Sequence, residues 1–497
     1  MNKKLISLFL LASMAAASLA SCGGAGSGTN SDTTASSGET TTEAVDDSLD
    51  SHGFLKDEIP ADAKFGGAEV NMLIREAIAN TEFFVEEATG DIVDDALVNR
   101  NNKVEERLGV KLNFITMPGE WGDRDNFNGA IKQSVLAGDG AYDICAVLSN
   151  QLATLTLDGL LTNLNNLQYL DFEKPWWAKG LLDELAVDDK LYFASGDASL
   201  GLINGMMCVF YNKKLCEDFQ IPDLYEIVNS GEWTIDKAVE LTTGVYQDLN
   251  GDDKKGPEDR LGFATGSYNQ LYGFIDSFNL QILERDSEGM PSKVVFDSEK
   301  VVNAVDKLVS LFKDNNEFAT LSKDASDYSD DFKAGNVLFC TGEFKDTSVY
   351  RDISAFDYGV IPFPKYDTAQ KDYRTTARAT YSSFCVPVTA KNADMSAAVL
   401  ECFASESYRQ VSPAYFETAL KVKYSRDDET SQMFDLIKSS VTFSFATSFT
   451  MAINDPQNTF KQRVSELKSD WASYMATWKP AAEEMLAKAL ETIKELP

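Results

Sequence analysis

Histidine, the residue type on which most hydrolytic sites depend, is almost missing from this chain. The sequence has 497 residues and one histidine, His52, near the N-terminus. A Ser-His-Asp triad, a Cys-His pair and an HExxH zinc site all require a histidine in the folded body. These three chemistries are therefore excluded. A pair of carboxylates, as glycoside hydrolases use, needs no histidine and stays open.

A second group of residues has the spacing of a metal-binding loop. The positions that carry side-chain ligands in a calcium loop are occupied here by oxygen donors: Asp248, Asn250, Asp252 and Asp259. Calcium prefers carboxylate and amide oxygens of this kind. However, Asp253 stands where such a loop has glycine, and Lys254 and Lys255 lie inside it. Structural calcium is the expectation, a polar turn without metal is the alternative, and no other cofactor is expected.

The cysteines point to buried thiols. Cys22 lies near the N-terminus, and the six others are spread along the body: Cys145, Cys208, Cys216, Cys340, Cys385 and Cys402. Most of the six lie in apolar, strand-like runs, and free cysteine is among the most buried residue types. We therefore expect free thiols, although an even number of cysteines in an exported protein also permits disulfides. No C-x-x-C pair occurs, so zinc-ribbon and thioredoxin-like sites have no support.

The N-terminus predicts export. Two lysines precede an apolar run over residues 5–20, which is the layout of a secretory signal peptide, here residues 1–21. The run ends in Leu19-Ala20-Ser21-Cys22, which resembles the bacterial lipobox. That resemblance implies cleavage before Cys22 and lipid, palmitate included, on its thiol. A membrane-spanning helix is the alternative, but such a helix needs about 20 apolar residues.

Composition and charge restrict the partners. Residues 22–64 begin with a Gly/Ser/Thr-rich stretch and are expected to form a flexible tether. The body exceeds the size of about 250–300 residues at which single cores stop growing, so two lobes are expected. A net charge of -33 excludes nucleic acid as a main partner, because phosphate binding needs a basic surface. The same charge disfavours direct contact between the body and an anionic membrane.

Hydrophobic patterns predict alternating strands and helices. Strands are expected at 69–74, 110–116 and 141–148, with helices between them at 94–108 and 126–137 that end at Gly109 and Gly138. This alternation is typical of parallel βα units. Farther along the chain, strands are expected at 191–194 and 206–211. Helices are expected at 213–218, 234–243, 297–313 and 392–403, the last beginning at Asn392. A final helical stretch is expected over 460–496, with a break at Pro480.

Several segments, in their order along the chain, match a known family. They are AYDI at 141–144, GLL at 159–161, VFYNKKL at 209–215, GEWT at 231–234, FKAGNVLF at 332–339 and YGVIPFP at 358–364. Together they resemble the extracellular solute-binding proteins (family 1) of ABC sugar importers, in the maltose-binding-like branch. The similarity covers roughly residues 65–497. No segment is very specific alone; the ordered set carries the resemblance.

The resemblance implies an α/β fold of the two-lobed periplasmic-binding-protein type (type II), with a hinge of crossing strands. Lobe 1 would comprise 65–155 and 382–412, and lobe 2 would comprise 156–381 and 413–497. The protein would be lipid-anchored at the outer face of the cell membrane. It would capture a carbohydrate, foremost an oligosaccharide, and deliver it to an ABC transporter permease.

No reaction is expected, and the protein is expected to be a monomer. A carboxylate-pair glycoside hydrolase, a binding protein for a peptide or another polar solute, and an adhesin or sensor on the same fold are the alternatives.

The resemblance also assigns candidate ligand contacts: Arg75, Glu76, Asn150, Gln151, Asn204, Phe344, Arg378 and Tyr381. Phe344 stands where many family members have tryptophan. Four further candidates follow from side-chain chemistry, since aromatic faces stack on sugars and carboxylates accept from hydroxyls: Trp121, Trp176, Asp197 and Tyr268. Trp177 is expected in the core, and Tyr272 is a further aromatic that could face the cleft.

Overall fold

The computed structural model describes residues 48–50, 53–321, 327–425 and 427–497. The predicted signal peptide, the lipidation site at Cys22, His52 and much of the predicted tether lie outside the described residues. The described body belongs to one compact unit, Ser51–Pro497. No helix within the described ranges is both long enough and apolar enough to cross a membrane.

Strands occur throughout the body. In chain order they are β1 Ala68–Arg75, β2 Val110–Met117, β3 Ile144–Leu148, β4 Met207–Asn212, β5 Leu261–Ala264, β6 Leu283–Arg285, β7 Pro291–Val294, β8 Phe318–Ala319, β9 Val337–Glu343, β10 Tyr358–Ile361, β11 Thr375–Thr376, β12 Ser382–Cys385 and β13 Val441–Thr442.

Helices alternate with the strands along the chain. The α-helices are α1 Ile92–Leu108, α2 Arg124–Ala137, α3 Leu152–Leu157, α4 Lys179–Leu185, α5 Leu200–Asn204, α6 Lys213–Asp218, α7 Leu224–Asn229, α8 Ile235–Thr242, α9 Gly273–Ser277, α10 Glu299–Asp314, α11 Ser329–Lys333, α12 Asp346–Tyr350, α13 Ala393–Glu406, α14 Asp428–Ser439, α15 Phe445–Ser448, α16 Pro456–Ser465 and α17 Trp471–Glu495. Short 3₁₀ or π-helical segments are Glu76–Ile78, Ala79–Phe83, Ser149–Gln151, Leu164–Asn166, Tyr268–Tyr272, Ser407–Val411, Ala414–Tyr424 and Thr450–Ile453.

The first sheet has the strand order β12-β3-β1-β2. β1 runs parallel to β2 and β3, and β12 returns antiparallel beside β3. The crossover helices end where their sequences predict, at Leu108 and Ala137, and each begins two residues earlier than predicted. Asp91 caps α1 by accepting from the Val93 N–H, and Gly109 ends it in the left-handed region, with φ of 60°, which glycine tolerates. The predicted parallel βα units are thereby confirmed.

The second sheet has the order β10-β4-β9-β5-β8. β4 is antiparallel to β9 and β10, whereas β5 runs parallel to β8 and β9. Every residue of β4 and β9 is buried, which agrees with their nearly continuous apolar sequences. The two sheets and their helices form the mixed α/β, two-lobed fold that was expected.

The chain crosses between the sheets at two adjacent places. It leaves the first sheet through residues 199–206 and returns through residues 377–382. Met206 and Ala377 pair antiparallel, and the Arg378 N–H donates to the Gly205 carbonyl at 2.8 Å. These two segments, called the crossing segments below, stand where the resemblance implies crossing strands, but most of the outgoing one is the helix α5, and only Met206 and Ala377 pair as strand residues.

The body begins earlier than predicted. Asp57 and Ile59 are buried, and the Asp57 carboxylate forms ion pairs with Arg107 and Arg409. The predicted tether to residue 64 is thus wrong at its C-terminal end. Asp57 looks like part of a polar linker in sequence, but its two partners come from helices far along the chain.

The predicted lobe boundary at residue 156 also differs from the packing. The Thr162 N–H donates to the Val386 carbonyl at 2.8 Å, and Ala194 pairs antiparallel with Phe384. Residues 161–162 and Ala194 therefore lie beside β12 and the residues that follow it, in the first sheet and not in the predicted lobe 2. The sequence shows the change of texture near residue 158, but not the sheet edge that this segment covers.

Three local predictions need correction. Residues 191–194 form no regular strand, and β3 starts at Ile144 instead of residue 141. The C-terminal helices are separated at residues 466–470, and Pro480 lies inside α17. That helix continues past the proline because its apolar face, with Met475, Trp478, Ala482 and Leu486, stays buried on both sides of it.

The prediction of free thiols is confirmed for the cysteines that the structure describes. Five of the six are buried and Cys216 is half-buried, and none of the six is in a disulfide. Burial raises the pKa of the Cys402 and Cys216 thiols to about 12. These thiols stay protonated at neutral pH and pack as small apolar side chains.

Candidate functional site

The carboxyl ends of β1, β2 and β3 meet at one edge of the first sheet, called the carboxyl edge below. Arg75 ends β1 opposite Met117 of β2, and its guanidinium pairs with Glu120 at 2.7 Å. Arg75 is only 2% exposed and also donates to the Thr380 carbonyl at 3.0 Å. Arg75 therefore connects the carboxyl edge to the returning crossing segment. In α/β sheets, ligands bind at the carboxyl ends of strands.

Trp121 gives the carboxyl edge an accessible aromatic ring. Its side chain is 49% exposed, and the Arg124 guanidinium lies over the ring at 4.1 Å from the centroid. The loop after β2 holds Trp121 directly next to Glu120, which is 45% exposed. An exposed indole beside a carboxylate and an arginine can contact both the apolar face and the hydroxyls of a polar ligand.

The other predicted residues at this edge differ in accessibility. Glu76 is exposed and Asn150 is half-buried. Gln151 is 4% exposed, and its Nε2 donates to the Asn150 Oδ1 at 3.2 Å. The structure thus brings Arg75, Glu76, Trp121, Asn150 and Gln151 to one edge of the sheet.

The crossing segments add a second polar group. Arg378 pairs with Glu343 at 3.3 Å, and Lys345 pairs with the same carboxylate at 2.8 Å. Burial opposes the charge on Arg378, but the nearby Glu343 carboxylate outweighs it and raises the arginine pKa. The Asn204 carbonyl accepts from the Lys345 N–H at 3.1 Å. Arg378 and Asn204 are thus neighbours at the crossing, with Lys345 partly exposed beside them.

Two tyrosines lie close to the returning crossing segment. Tyr381 is 4% exposed, and its carbonyl accepts from the Ser149 N–H at 3.1 Å. The Tyr272 hydroxyl accepts from the Ala379 N–H at 3.1 Å. Burial raises the pKa of both tyrosines above its usual range, so both stay protonated. Tyr381 and Tyr272 position the backbone of the crossing and offer little surface to a ligand.

Tyr268 belongs to the second sheet's side of the molecule. It is half-buried, the Lys461 ammonium lies 4.9 Å from its ring centroid, and Lys461 Nζ donates to the Asn269 Oδ1 at 2.9 Å. Burial raises the Tyr268 pKa to about 12. This group lies at the end of β5, the place in the second sheet that corresponds to the carboxyl edge of the first.

Three predicted contacts lie elsewhere. Phe344 is fully buried against Phe434, with ring centroids 5.0 Å apart, so it is a core residue and not an exposed stacking aromatic. Trp176 is also fully buried and donates to the Glu401 Oε1 at 3.1 Å. Trp177, which donates to the same carboxylate at 2.9 Å, is in the core as expected.

Asp197 is the third predicted contact outside the two groups. It is half-buried, and its N–H donates to the Trp176 carbonyl at 2.9 Å. Burial raises the pKa of its carboxyl, Ser412 and Lys438 oppose this, and the resulting pKa is about 6. Its partners are thus Ser412 and the region around Trp176, away from the carboxyl edge.

The structure adds functional candidates that the sequence patterns did not single out. Glu120, Glu343, Lys345 and Lys461 each contact a predicted residue of the two groups. Glu120 had a usable signal, since it directly precedes Trp121 after a strand. Lys461 had none, because it comes from a helix almost 200 residues beyond Tyr268.

The predicted calcium loop makes its hydrogen bonds internally. Asp248 accepts from the Gly251 and Asp253 N–H groups at 2.6 and 2.9 Å, and buried Asp259 accepts from Leu249 and Gly256. Lys255 donates to three backbone carbonyls near the end of α10. Within the described residues, no three His, Cys, Asp or Glu side chains are grouped so as to hold a metal ion. Calcium binding stays a prediction.

Solved structures with this fold bind sugars. The extracellular solute-binding protein from Staphylococcus aureus, in complex with maltose, has a TM-score of 0.54 at 14% identity, with 87% of this chain and 99% of that chain covered. A cyclo/maltodextrin-binding protein complexed with maltotetraose also scores 0.54, at 12% identity, covering 87% and 98%. An ABC transporter solute-binding protein from Thermotoga lettingae, bound with α-D-tagatose, scores 0.52 at 14% identity, covering 84% and 100%.

Sequence comparison gives the family. No curated protein matched the chain. The profile of the family described as bacterial extracellular solute-binding protein matches residues 93–410, which is more than half of the chain. That family consists of binding proteins that act outside the cell, not of enzymes. The order of strands and helices, the crossing segments and this match agree: the chain belongs to the bacterial extracellular solute-binding proteins.

Proposed function

We propose that this protein captures a carbohydrate between its two sheets and delivers it to the permease of an ABC transporter. The observation that carries the proposal is the half-exposed Trp121 beside the Arg75–Glu120 ion pair at the carboxyl edge. A sugar presents an apolar face and a rim of hydroxyls. The Trp121 indole can stack on the apolar face, and the exposed Glu120 carboxylate, which Arg75 holds in place, can accept from the hydroxyls.

Closure around the sugar would use the crossing segments. Polar groups that a ligand can reach lie on both sides of them, with Glu120 and Asn150 on the first sheet and Lys345 and Lys461 on the second. A ligand that contacts both sides stabilises the closed arrangement by its differential affinity for it. The sugars bound by the fold relatives named above support this ligand class.

Calorimetric titration of the body from residue 53 onward with maltose, maltotetraose and tagatose tests the proposal. Trp121→Ala should weaken the affinity about tenfold or more, because exposed aromatics at the centre of a contact carry much of the binding energy. Leu136→Ala, on the exposed face of α2 and 75% accessible, is the matched control and should bind like the wild type.

The same experiment separates the alternatives. Sugar recovered uncleaved after long incubation is expected of a binding protein, and cleaved sugar would favour the glycoside hydrolase. If none of the sugars binds and a peptide does, the carbohydrate proposal is wrong.

Lipid on Cys22 is proposed as the anchor that keeps the protein at the outer face of the cell membrane, near its permease, and the protein is proposed to be a monomer. The support is the lipobox-like Leu19-Ala20-Ser21-Cys22. Expression of the full chain in bacteria should give a membrane-associated form that incorporates labelled palmitate, and Cys22→Ser should release it to the soluble fraction. Unchanged partitioning of Cys22→Ser would contradict the anchor.

Calcium is proposed as a structural ligand of the 248–259 loop, supported only by its donor spacing. If the proposal holds, calcium should raise the melting temperature relative to chelator, and Asp252→Asn should abolish that rise. A melting temperature unaffected by calcium would mean that the internal hydrogen bonds and Lys255 hold the loop without metal.

A further inference from the structure

Three cavities border one side chain, Arg374, just before β11. Their volumes are about 350, 460 and 630 Å³, which falls within the range of small-molecule sites. Arg374 precedes the short parallel pair of β11 and β13. None of the candidate ligand residues at the carboxyl edge lines any of the three cavities. The region around Arg374, called the Arg374 junction below, is thus separate from the proposed sugar site.

The Arg374 junction contains polar atoms without partners. The Arg374 Nε is buried and has no hydrogen-bond partner among the described residues, and the same is true of the Gln370 Oε1. Both residues line the cavity of about 460 Å³. Leaving a buried donor on a charged group unpaired costs free energy, so such a group usually has a partner in the protein, an ordered water or a bound ion.

Asp276, an acid that interacts with Arg374, does not pair fully with it. Asp276 lines the cavity of about 350 Å³ with Arg374, but its Oδ2 accepts from the Thr376 hydroxyl at 2.6 Å. Burial raises the Asp276 pKa, Thr376 and Arg374 oppose this, and the resulting pKa is about 6. Because the Asp276 carboxyl is buried and already bonded to Thr376, it neutralises only part of the Arg374 charge.

Further cations face the same space. Lys300 and Lys371 line the cavity of about 460 Å³ together with Arg374, and Asp367 and Asp372 are the acids on its wall. Burial lowers the Lys300 pKa, Asp367 opposes this, and the Arg374 charge lowers it further. Lys300 and Arg374 therefore repel each other across this space in a chain whose net charge is -33. An anion between them would relieve that repulsion.

We propose that the Arg374 junction binds a small oxyanion, the carboxylate or phosphate group of a free ion or of a small organic acid. A guanidinium offers a planar fork of donors that matches both groups. The Nε and an Nη would hold two oxygens of the anion, and Lys300 would add a second positive charge. The site is independent of the proposed sugar site.

Calorimetric titration with inorganic phosphate, glucuronate and glucose tests the proposal. The wild type should bind phosphate or glucuronate but not glucose at this site. Arg374→Gln should weaken that binding about tenfold or more, since a hydrogen bond to a charged group is lost. Arg351→Gln is the matched control: Arg351 is 45% exposed, pairs with Asp352 and lines none of the three cavities. It should bind the anion like the wild type.

Further variants keep the test decisive. Trp121→Ala should retain anion binding even where it loses sugar binding, so the two proposals can fail separately. If Arg374→Gln does not fold by circular dichroism, Lys300→Gln, which should weaken binding less, takes its place. Phosphate binding alone would identify a free ion, and glucuronate binding alone an organic carboxylate. No anion binding by the wild type, or equal binding by the wild type and Arg374→Gln, would overturn the proposal.

Discussion

Replacing Asp57 with asparagine should destabilise the body far more than replacing its neighbour Glu58 with glutamine. The Asp57 carboxylate is fully buried. It pairs with Arg107 through both oxygens, lies 3.5 Å from Arg409, and accepts from the Ser405 hydroxyl at 2.9 Å. Burial raises its pKa, but Arg107 outweighs burial and the net pKa is lowered.

The size of the effect follows from which charges are left behind. Asparagine keeps the shape of Asp57 but leaves Arg107 and Arg409 without a counter-charge. Removing one partner of a buried ion pair costs about 3–5 kcal/mol. Arg409 is 7% exposed, but Arg107 is 30% exposed and can recover some hydration. A loss of about 2–4 kcal/mol is therefore expected. Glu58 is 71% exposed and pairs with Lys174, so Glu58→Gln should lower the free energy of unfolding by less than about 1 kcal/mol.

Thermal and urea unfolding of the body from residue 53 onward measure the difference. With an unfolding entropy of about 2.1 cal/mol/K per residue, the expected loss corresponds to a melting temperature roughly 2–4 °C lower. Because the native pKa of Asp57 is lowered, its contribution is present at neutral pH and disappears as the pH falls through that native value. Asp57→Asn should therefore differ from the wild type at pH 7 and approach it in acid.

Equal losses for Asp57→Asn and Glu58→Gln would refute this reasoning. Such a result would mean that water reaches the Asp57 ion pairs, or that the segment before Phe65 does not pack against the rest of the body. The same logic applies to truncation. A chain starting at Phe65, the predicted start of the body, lacks Asp57 and Ile59 and should melt lower than one starting at residue 53.

Three further predictions follow from buried side chains. Phe344→Ala should lower the free energy of unfolding in urea by about 3–5 kcal/mol, because the Phe344 ring is buried in the core. Weaker sugar binding at unchanged stability would show instead that Phe344 contacts the ligand. Burial raises the Glu401 pKa to about 8 from an ordinary value near 4.5, so the free energy of unfolding should fall as pH rises between these values. Urea midpoints at pH 6 and 8.5 should differ less for Glu401→Gln than for the wild type. An equal difference in the two proteins would contradict this prediction. The six body thiols should not react with a thiol reagent in the native protein within minutes, whereas rapid labelling would show that they are accessible.

Much of the fold was predictable because its signals are local. The strands around Met72 and Phe210 and the helix cap at Asn392 follow from hydrophobic period, buried runs and capping residues within a few positions. For the candidate site, the sequence predicted only that its residues lie at the carboxyl edge of the first sheet. Parallel strands place Arg75, Trp121 and Asn150 together once the sheet order is known, but their exposure is not encoded locally.

The sequence by itself determined what chemistry is impossible and in what order the elements come. The single histidine, His52, lies near the N-terminus and before the predicted body, so the sequence argues against histidine-dependent catalysis whatever the fold, and cysteines within apolar runs predict buried thiols. These conclusions need only composition and local pattern.

Tertiary structure alone decided which side chains meet. Phe344 ends in the core because Phe434, 90 residues later, covers it. Asp57 finds Arg409, and Lys461 finds Tyr268, across similarly long separations. Local patterns specify which face of a strand or helix is apolar, whereas contacts between elements distant in sequence decide what that face meets.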